Sequence, residues 1–223
     1  MNKDFDLMNN NKVTVVGNVT KMPIFSHEMY GENFYEFEVE VPRLSLSSDF
    51  IPVTISSRLL SIADINIGKK IALSGQFRSY NKLIDGKSRL MLTIFVREIL
   101  HEEMEYTNSI EITGYVCKEP IFRITPFKRE ITDILIAVNR SYNKSDYLPC
   151  IAWGRNARFI KDLRVGDKVN LSGRIQSRAY TKKTDDSVEN KVAYEVSLSR
   201  IVHVACNEGL DEYCNNEKIT KII

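Results

Sequence analysis

Apolar residues along this chain alternate in short runs. In "VTVVGNV" (13–19), "FEVEV" (37–41), "IPVTIS" (51–56) and "KIALSGQF" (70–77), β-branched or aromatic side chains recur at every second place. That period predicts strands with one buried face. Between the third and fourth runs the period changes. "RLLSIADINIG" (58–68) sets Leu59, Ile62 and Ala63 on one side of a short helix, and Gly68 stands where the chain must turn out of it.

The same succession occurs twice. "VTVVGNVTKMPIF" (13–25) returns as "IEITGYVCKEPIF" (110–122), 97 positions later. That register also matches "FYEFEVEVPR" (34–43) to "ITDILIAVNR" (131–140), and "DFIPVTISS" (49–57) to "DYLPCIAWG" (146–154). One extra residue then shifts the offset to 98, where "IGKKIALSGQF" (67–77) meets "VGDKVNLSGRI" (165–175). In the second copy Ala157, Ile160 and Leu163 form the helical stripe and Gly166 ends it. A chain of 223 residues holds two such units, each long enough for its own core. The expected organisation is a flexible N-terminus (1–11), a first unit (12–101), an acidic linker (102–108), a second unit (109–204) and a C-terminal tail (205–223). Three strands, a helix and two strands is the order of the OB fold. The predicted fold class is therefore all-β: two tandem five-stranded Greek-key barrels, each with one short helix between strands 3 and 4. Gly17, Gly114, Gly75 and Gly173 fit the sharp bends that barrel closure requires, and Pro23 and Pro120 are expected to end the first strands.

Strand parity separates core from surface. Ile51, Val53 and Ile55 share one face, so they point inward, and the repeat register carries that assignment to Leu148, Cys150 and Ala152. Phe50, Pro52, Thr54 and Ser56 then face out in the first copy, and Tyr147, Pro149, Ile151 and Trp153 in the second. On the fourth strand Val169, Leu171 and Ile175 point inward, with Arg174, Gln176, Arg178 and Tyr180 outward. The second copy thus presents aromatics and arginines on one surface. Exposed rings stack on nucleobases while Arg and Lys hold phosphates.

The second copy resembles the bacterial single-stranded DNA-binding proteins along "IEITGYVCKEPIFRITP", "ILIAVNRSYNKSDYLPCIAWGRNARFI" and "VGDKVNLSGRIQSRAYTKK". The resemblance implies stacking on Tyr142, Tyr147, Trp153 and Tyr180, and phosphate contacts from Arg140, Arg155, Arg174, Arg178, Lys182 and Lys183. The first copy departs from that pattern, with Ser45, Phe50, Ser56 and Tyr80 at the four stacking places. Charge divides in the same way: residues 110–204 hold 17 Lys and Arg against 11 Asp and Glu, and residues 12–100 hold 11 against 9. The second copy is therefore the expected main contact, with Phe50 and Tyr80 contributing from an auxiliary first copy. The resemblance also implies a homodimer carrying four OB folds. Family members often end in an acidic peptide with a terminal Pro-Phe that docks replication and repair proteins; "CNEGLDEYCNNEKITKII" does not match it.

Composition narrows the alternatives. Hydrophobic residues make up 43% and charged residues 27%, no apolar run reaches the roughly 20 residues of a membrane span, and the polar N-terminus predicts a cytoplasmic protein. The four cysteines form no C-x-x-C pair, and His203, Cys206 and Cys214 lack a fourth ligand, so no metal or other cofactor is expected. Three scattered histidines and no Gly-rich phosphate loop argue against an enzyme. Two other readings stand beside single-stranded DNA binding in replication, recombination or repair. One is a primosome-like OB-fold interaction module, and the other a single-stranded RNA binder, since stacking does not distinguish the two nucleic acids.

Overall fold

The computed structural model describes residues 10–84, 86–101, 103–184 and 187–204, without the side chains of 182–189. The first half forms β1 (Asn11–Met29), β2 (Glu32–Pro42), β3 (Ser48–Ser56), β4 (Lys70–Ile84) and β5 (Lys87–Ile99). These strands close on themselves: β1 pairs with β2, β2 with β3, β3 with β5 in parallel, β5 with β4, and β4 with β1. The second half forms β6 (Thr107–Val116), β7 (Ile121–Ile124), β8 (Glu130–Arg140), β9 (Lys144–Trp153), α1 (Arg155–Ile160), β10 (Lys168–Thr184) and β11 (Ser187–His203). It closes by the same circuit, β6–β8–β9–β11–β10–β6, with the β9–β11 pair parallel. Both are OB-fold barrels. Closure removes the open edges that a flat five-stranded sheet would leave.

Alternation places the core as parity predicts. Ile51, Val53 and Ile55 are fully buried, as are Leu148 and Ala152, with Cys150 nearly so; Val169, Leu171 and Ile175 line the second barrel. Where β4 and β10 bend, a bulge falls between Ser74 and Gly75 and between Ser172 and Gly173. A Cβ on Gly173 would lie 2.2 Å from the Ser197 carbonyl oxygen, and one on Gly75 would lie 2.3 Å from that of Phe95. No side chain fits either bend.

Four features differ from the sequence expectation. The first barrel has no α-helix between β3 and β4, only a 3-10 turn at Ile62–Asp64 with none of its residues buried; Ile65, just beyond it, plugs the core instead. Of the expected stripe, Leu59 and Ala63 are exposed and Ile62 is only half-buried, whereas α1 buries Ala157 and Ile160. Pro23 does not end β1, which bends through three register shifts and runs on to Met29, while in the second barrel the strand breaks before Pro120. Ile151 has outward parity yet is only 5% exposed, and Thr54, Ser56 and Gln176 are likewise covered.

The barrels are not separate beads. β1 and β6 pair antiparallel from Asn11↔Ile112 to Val16↔Thr107, joining the strands of the described residues into one eleven-stranded sheet. Two further clips flank this ladder. The Ser177 N–H donates to Asp49 Oδ1 at 3.0 Å, and the Phe50 N–H donates to Ser177 Oγ at 2.9 Å. On the other side the Ser79 N–H donates to Asp146 Oδ1 and the Tyr147 N–H to Ser79 Oγ, both at 2.8 Å. Each barrel thus supplies one aspartate and one serine, in matching positions of the repeat.

Candidate nucleic-acid interface

On the second barrel, β9 carries Tyr147 and Trp153 outward, 47% and 40% exposed. They stand six positions apart, about 20 Å along an extended strand. Pro149 lies between, and Ile151 is covered. Gly154 follows Trp153 with φ +55°, turning the chain at once into α1 and leaving the indole at the strand end. Tyr142 is 95% exposed in the β8–β9 turn, where it and Asn143 both adopt positive φ. Tyr180, 40% exposed on β10, has the Arg178 guanidinium 5.9 Å from its ring centre.

The predicted cations divide into two groups. Arg155 is exposed at the start of α1, and Arg178 is exposed with Nε 3.6 Å from Glu195. Arg174 and Arg140 instead serve the barrel seam. Arg174 Nη1 donates to Asp49 Oδ2 at 2.6 Å, and the same buried carboxylate binds the Arg43 guanidinium, whose Nε lies 2.9 Å away. Those bonds to Asp49 raise the pKa of Arg43 further. Arg140 Nε lies 3.2 Å from Asp146 Oδ2 without hydrogen-bond geometry, and burial pushes the Asp146 carboxyl above the ordinary value. Lys182 and Lys183 lie in β10, but their side chains fall outside the described residues. So do Cys206, Cys214 and the tail at 205–223.

On the first barrel the corresponding face is closed by its own side chains. Thr54 and Thr93 share a hydrogen bond of 2.8 Å, and Ser56 donates to Glu32. Phe34 packs on Phe95 at 5.5 Å and stacks with His27 at 4.9 Å; Arg78 lies 3.8 Å over Phe95. Burial, then the nearby Arg97 and Arg140, pushes the Arg78 pKa down to about 10. Tyr80 donates to Glu36 at 3.2 Å, and burial, then Glu36, pushes its pKa up to about 12. Tyr80 directly follows the clip serine Ser79, as Arg178 follows Ser177, so its partner in the repeat is Arg178 rather than Tyr180. Phe50 is 39% exposed and tied through its N–H to Ser177, beside the second barrel.

Sequence reasoning missed the wall opposite Trp153. The β7–β8 turn brings Ile124, Lys128 and Arg129 around a concave space of about 590 Å³, closed by Glu130, Trp153, Gly154 and Arg158. The offset of 97 pairs Arg129 with Glu32, a charge reversal that marks the place in the sequence itself.

Among the described residues no helix is long and apolar enough to cross a membrane, and no cluster of His, Cys, Asp and Glu could hold a metal. Residues 107–204 match the Single-strand binding protein family. A "Single-stranded DNA-binding protein" of Clostridium tetani is 32% identical over 100 residues, 41% of this chain and 69% of that one. "Single-stranded DNA-binding protein 3" of Streptococcus agalactiae is 29% identical over 120 residues, 51% of this chain and 80% of that one. Coverage is smaller elsewhere: the chain spans 51% of "Single-stranded DNA-binding protein A" of Bacillus subtilis, at 27% identity over 36% of its own length. The wild-type single-stranded DNA binding protein of Thermus aquaticus superposes with a TM-score of 0.71 at 18% identity, covering 88% of this chain and 93% of that one, so the fold is shared across both barrels. With its second barrel matched in sequence and both barrels matched in fold, the chain belongs to the single-strand binding protein family.

Proposed function

We propose that this protein, which as a member of its family is not an enzyme, binds single-stranded DNA without sequence preference on the outer face of the second barrel. The observation that carries the reading is the contrast between the two faces. Trp153 stands open with Lys128 and Arg129 around it, while at its counterpart Ser56 the first barrel is covered, with Phe34 paired beside it and packed on Phe95; Tyr147 is open on the same strand, as is its counterpart Phe50. An open ring stacks on any base for about 1 to 3 kcal/mol; a ring already packed in a cluster has no free face to offer. Tyr142, Tyr180, Arg155 and Arg178 extend the surface, with Lys182 and Lys183 further along β10. Coating single strands in replication, recombination or repair, in the cytoplasm and as a homodimer with four barrels, is the role this activity supports.

Trp153 is the only tryptophan, which makes the test direct. Adding poly(dT) should quench its emission, and Tyr147→Ala with Trp153→Ala, followed by the anisotropy of a labelled dT oligonucleotide, should weaken binding by about 2 to 6 kcal/mol if stacking contributions add. Emission that stays constant up to micromolar strand would refute the proposal. Parallel titrations with poly(U) and with duplex DNA separate RNA binding and groove binding from the proposed preference.

A further inference from the structure

The concave space beside Trp153 contains a feature that neither barrel closure nor the seam explains. Its wall is a preorganised turn: the Lys128 N–H donates to the Thr125 carbonyl at 2.8 Å, the Thr125 N–H to the Arg129 carbonyl at 2.8 Å, and the Arg129 N–H to Thr125 Oγ1 at 3.0 Å. Lys128 sits at its tip with φ +60°, in the left-handed region that disfavours a side chain. In the first barrel the same repeat position is Gly31, at φ +74°, and the next residue is Glu32 in place of Arg129. The second barrel therefore keeps a lysine where glycine would be relaxed, and an arginine where its copy has the opposite charge.

Of the groups around the space, Arg158 is engaged by Glu130 at 2.5 Å, which neutralises that pair. Among the described residues Lys128 and Arg129 have no side-chain partner, so two positive charges face a half-exposed indole across a space of about 590 Å³. Such a volume accommodates a nucleotide and falls in the range of small-molecule sites. Phe127, 87% exposed, stands beside them on the turn.

Building on the proposed function, we infer that the β7–β8 turn is a phosphate clamp. It holds the backbone on either side of the base stacked on Trp153, with Lys128 and Arg129 each neutralising one phosphate. The ligand is thus a nucleotide within a strand, held by its ring on one wall and by its phosphates on the other. The first barrel has neither the clamp nor the ring, with Gly31, Glu32 and Ser56 at those places.

The test replaces the clamp with the first barrel's own residues, Lys128→Gly with Arg129→Glu, which suit the turn; a second variant, Lys128→Ala with Arg129→Ala, removes charge without reversing it. Both are titrated with a dT oligonucleotide by Trp153 emission at several salt concentrations, with thermal melts to establish folding. Each lost contact should weaken binding about fivefold at 0.1 M salt, about 25-fold for the alanine pair, and flatten the log–log salt slope by about 1.4 in total. The charge-reversed variant should bind more weakly still. A wild-type protein that binds and quenches, alongside folded variants of unchanged affinity and slope, would overturn the clamp and leave the proposed function standing. A wild-type protein that shows no quenching would remove the proposed function itself, and the clamp with it.

Discussion

The two clips at the seam have the same hydrogen bonds but different charge environments, so replacing each aspartate by asparagine should give different losses. Asp49 is 1% exposed and binds two arginines and the Ser177 N–H. Asp49→Asn keeps the shape and an acceptor for Ser177 but leaves Arg43 and Arg174 with no carboxylate. Removing one partner of a buried ion pair costs about 3 to 5 kcal/mol. Here the arginine side chains are 26% and 36% exposed and can rehydrate, which reduces the expected loss to about 2 to 3 kcal/mol. Asp146 is fully buried, has Arg140 Nε at 3.2 Å and feels the Arg78 charge, yet its Oδ2 accepts no hydrogen bond from either, and burial still shifts its carboxyl toward the neutral form. Asp146→Asn should therefore cost about 0 to 1 kcal/mol, because a neutral amide avoids the desolvation that opposes the charge. Urea denaturation reads the difference. With an m-value of about 2 to 3 kcal/mol/M, Asp49→Asn lowers the midpoint by about 1 M and Asp146→Asn by no more than about 0.5 M. Equal losses, or a larger one for Asp146→Asn, would refute the charge argument and leave only the shared hydrogen bonds as the source of seam stability.

Two further outcomes follow from the same geometry. Because the folded carboxyl of Asp146 has a raised pKa, protonation stabilises the fold below the unfolded value, and that contribution is lost as pH rises through the folded value. The deficit of Asp146→Asn against wild type should therefore shrink from pH 4 to pH 7 in paired urea melts; a deficit that grows with pH would contradict the assigned direction. Gly173→Ala puts a methyl 2.2 Å from the Ser197 carbonyl, and separating β10 from β11 at the bulge should cost about 3 kcal/mol or more, read as a fall in melting temperature.

Much of the fold was legible in the sequence because strand parity is exact and the chain displays it twice. Ile51, Val53 and Ile55 reveal their side by their own pattern, and the register then orients "DYLPCIAW", whose pattern alone is ambiguous. Long-range polar contacts have no such period. Ser79 meets Tyr147, and Ser177 meets Phe50, across intervals that no window spans, so the seam that claims Arg140 and Arg174 could not be read before the barrels were placed. The closed face of the first barrel was only half legible. Ser56 against Trp153 showed that a platform was missing, but the Phe34–Phe95–Arg78 cluster that fills the place depends on β2, β4 and β5 converging. The expected helix at 58–68 failed for a related reason: a stripe predicts a helix only if there is a surface for it to cover, and Ile65, with Leu60 and Ile62 packed against the core beside it, fills that gap.

The shared β1–β6 ladder also governs how this molecule can be taken apart. Cutting the chain between the copies would strip the partner from residues 11–16 in one piece and 107–112 in the other, baring two rows of backbone donors and acceptors and the apolar side chains beside them. Exposed edges of this sort pair with whatever strand is nearest, commonly another copy of themselves. Either half expressed alone should thus emerge as an artificial dimer or an aggregate, and a loss of binding in such a fragment would say nothing about which barrel touches the ligand. Point substitutions in the intact chain are the means of dividing the work between the two barrels.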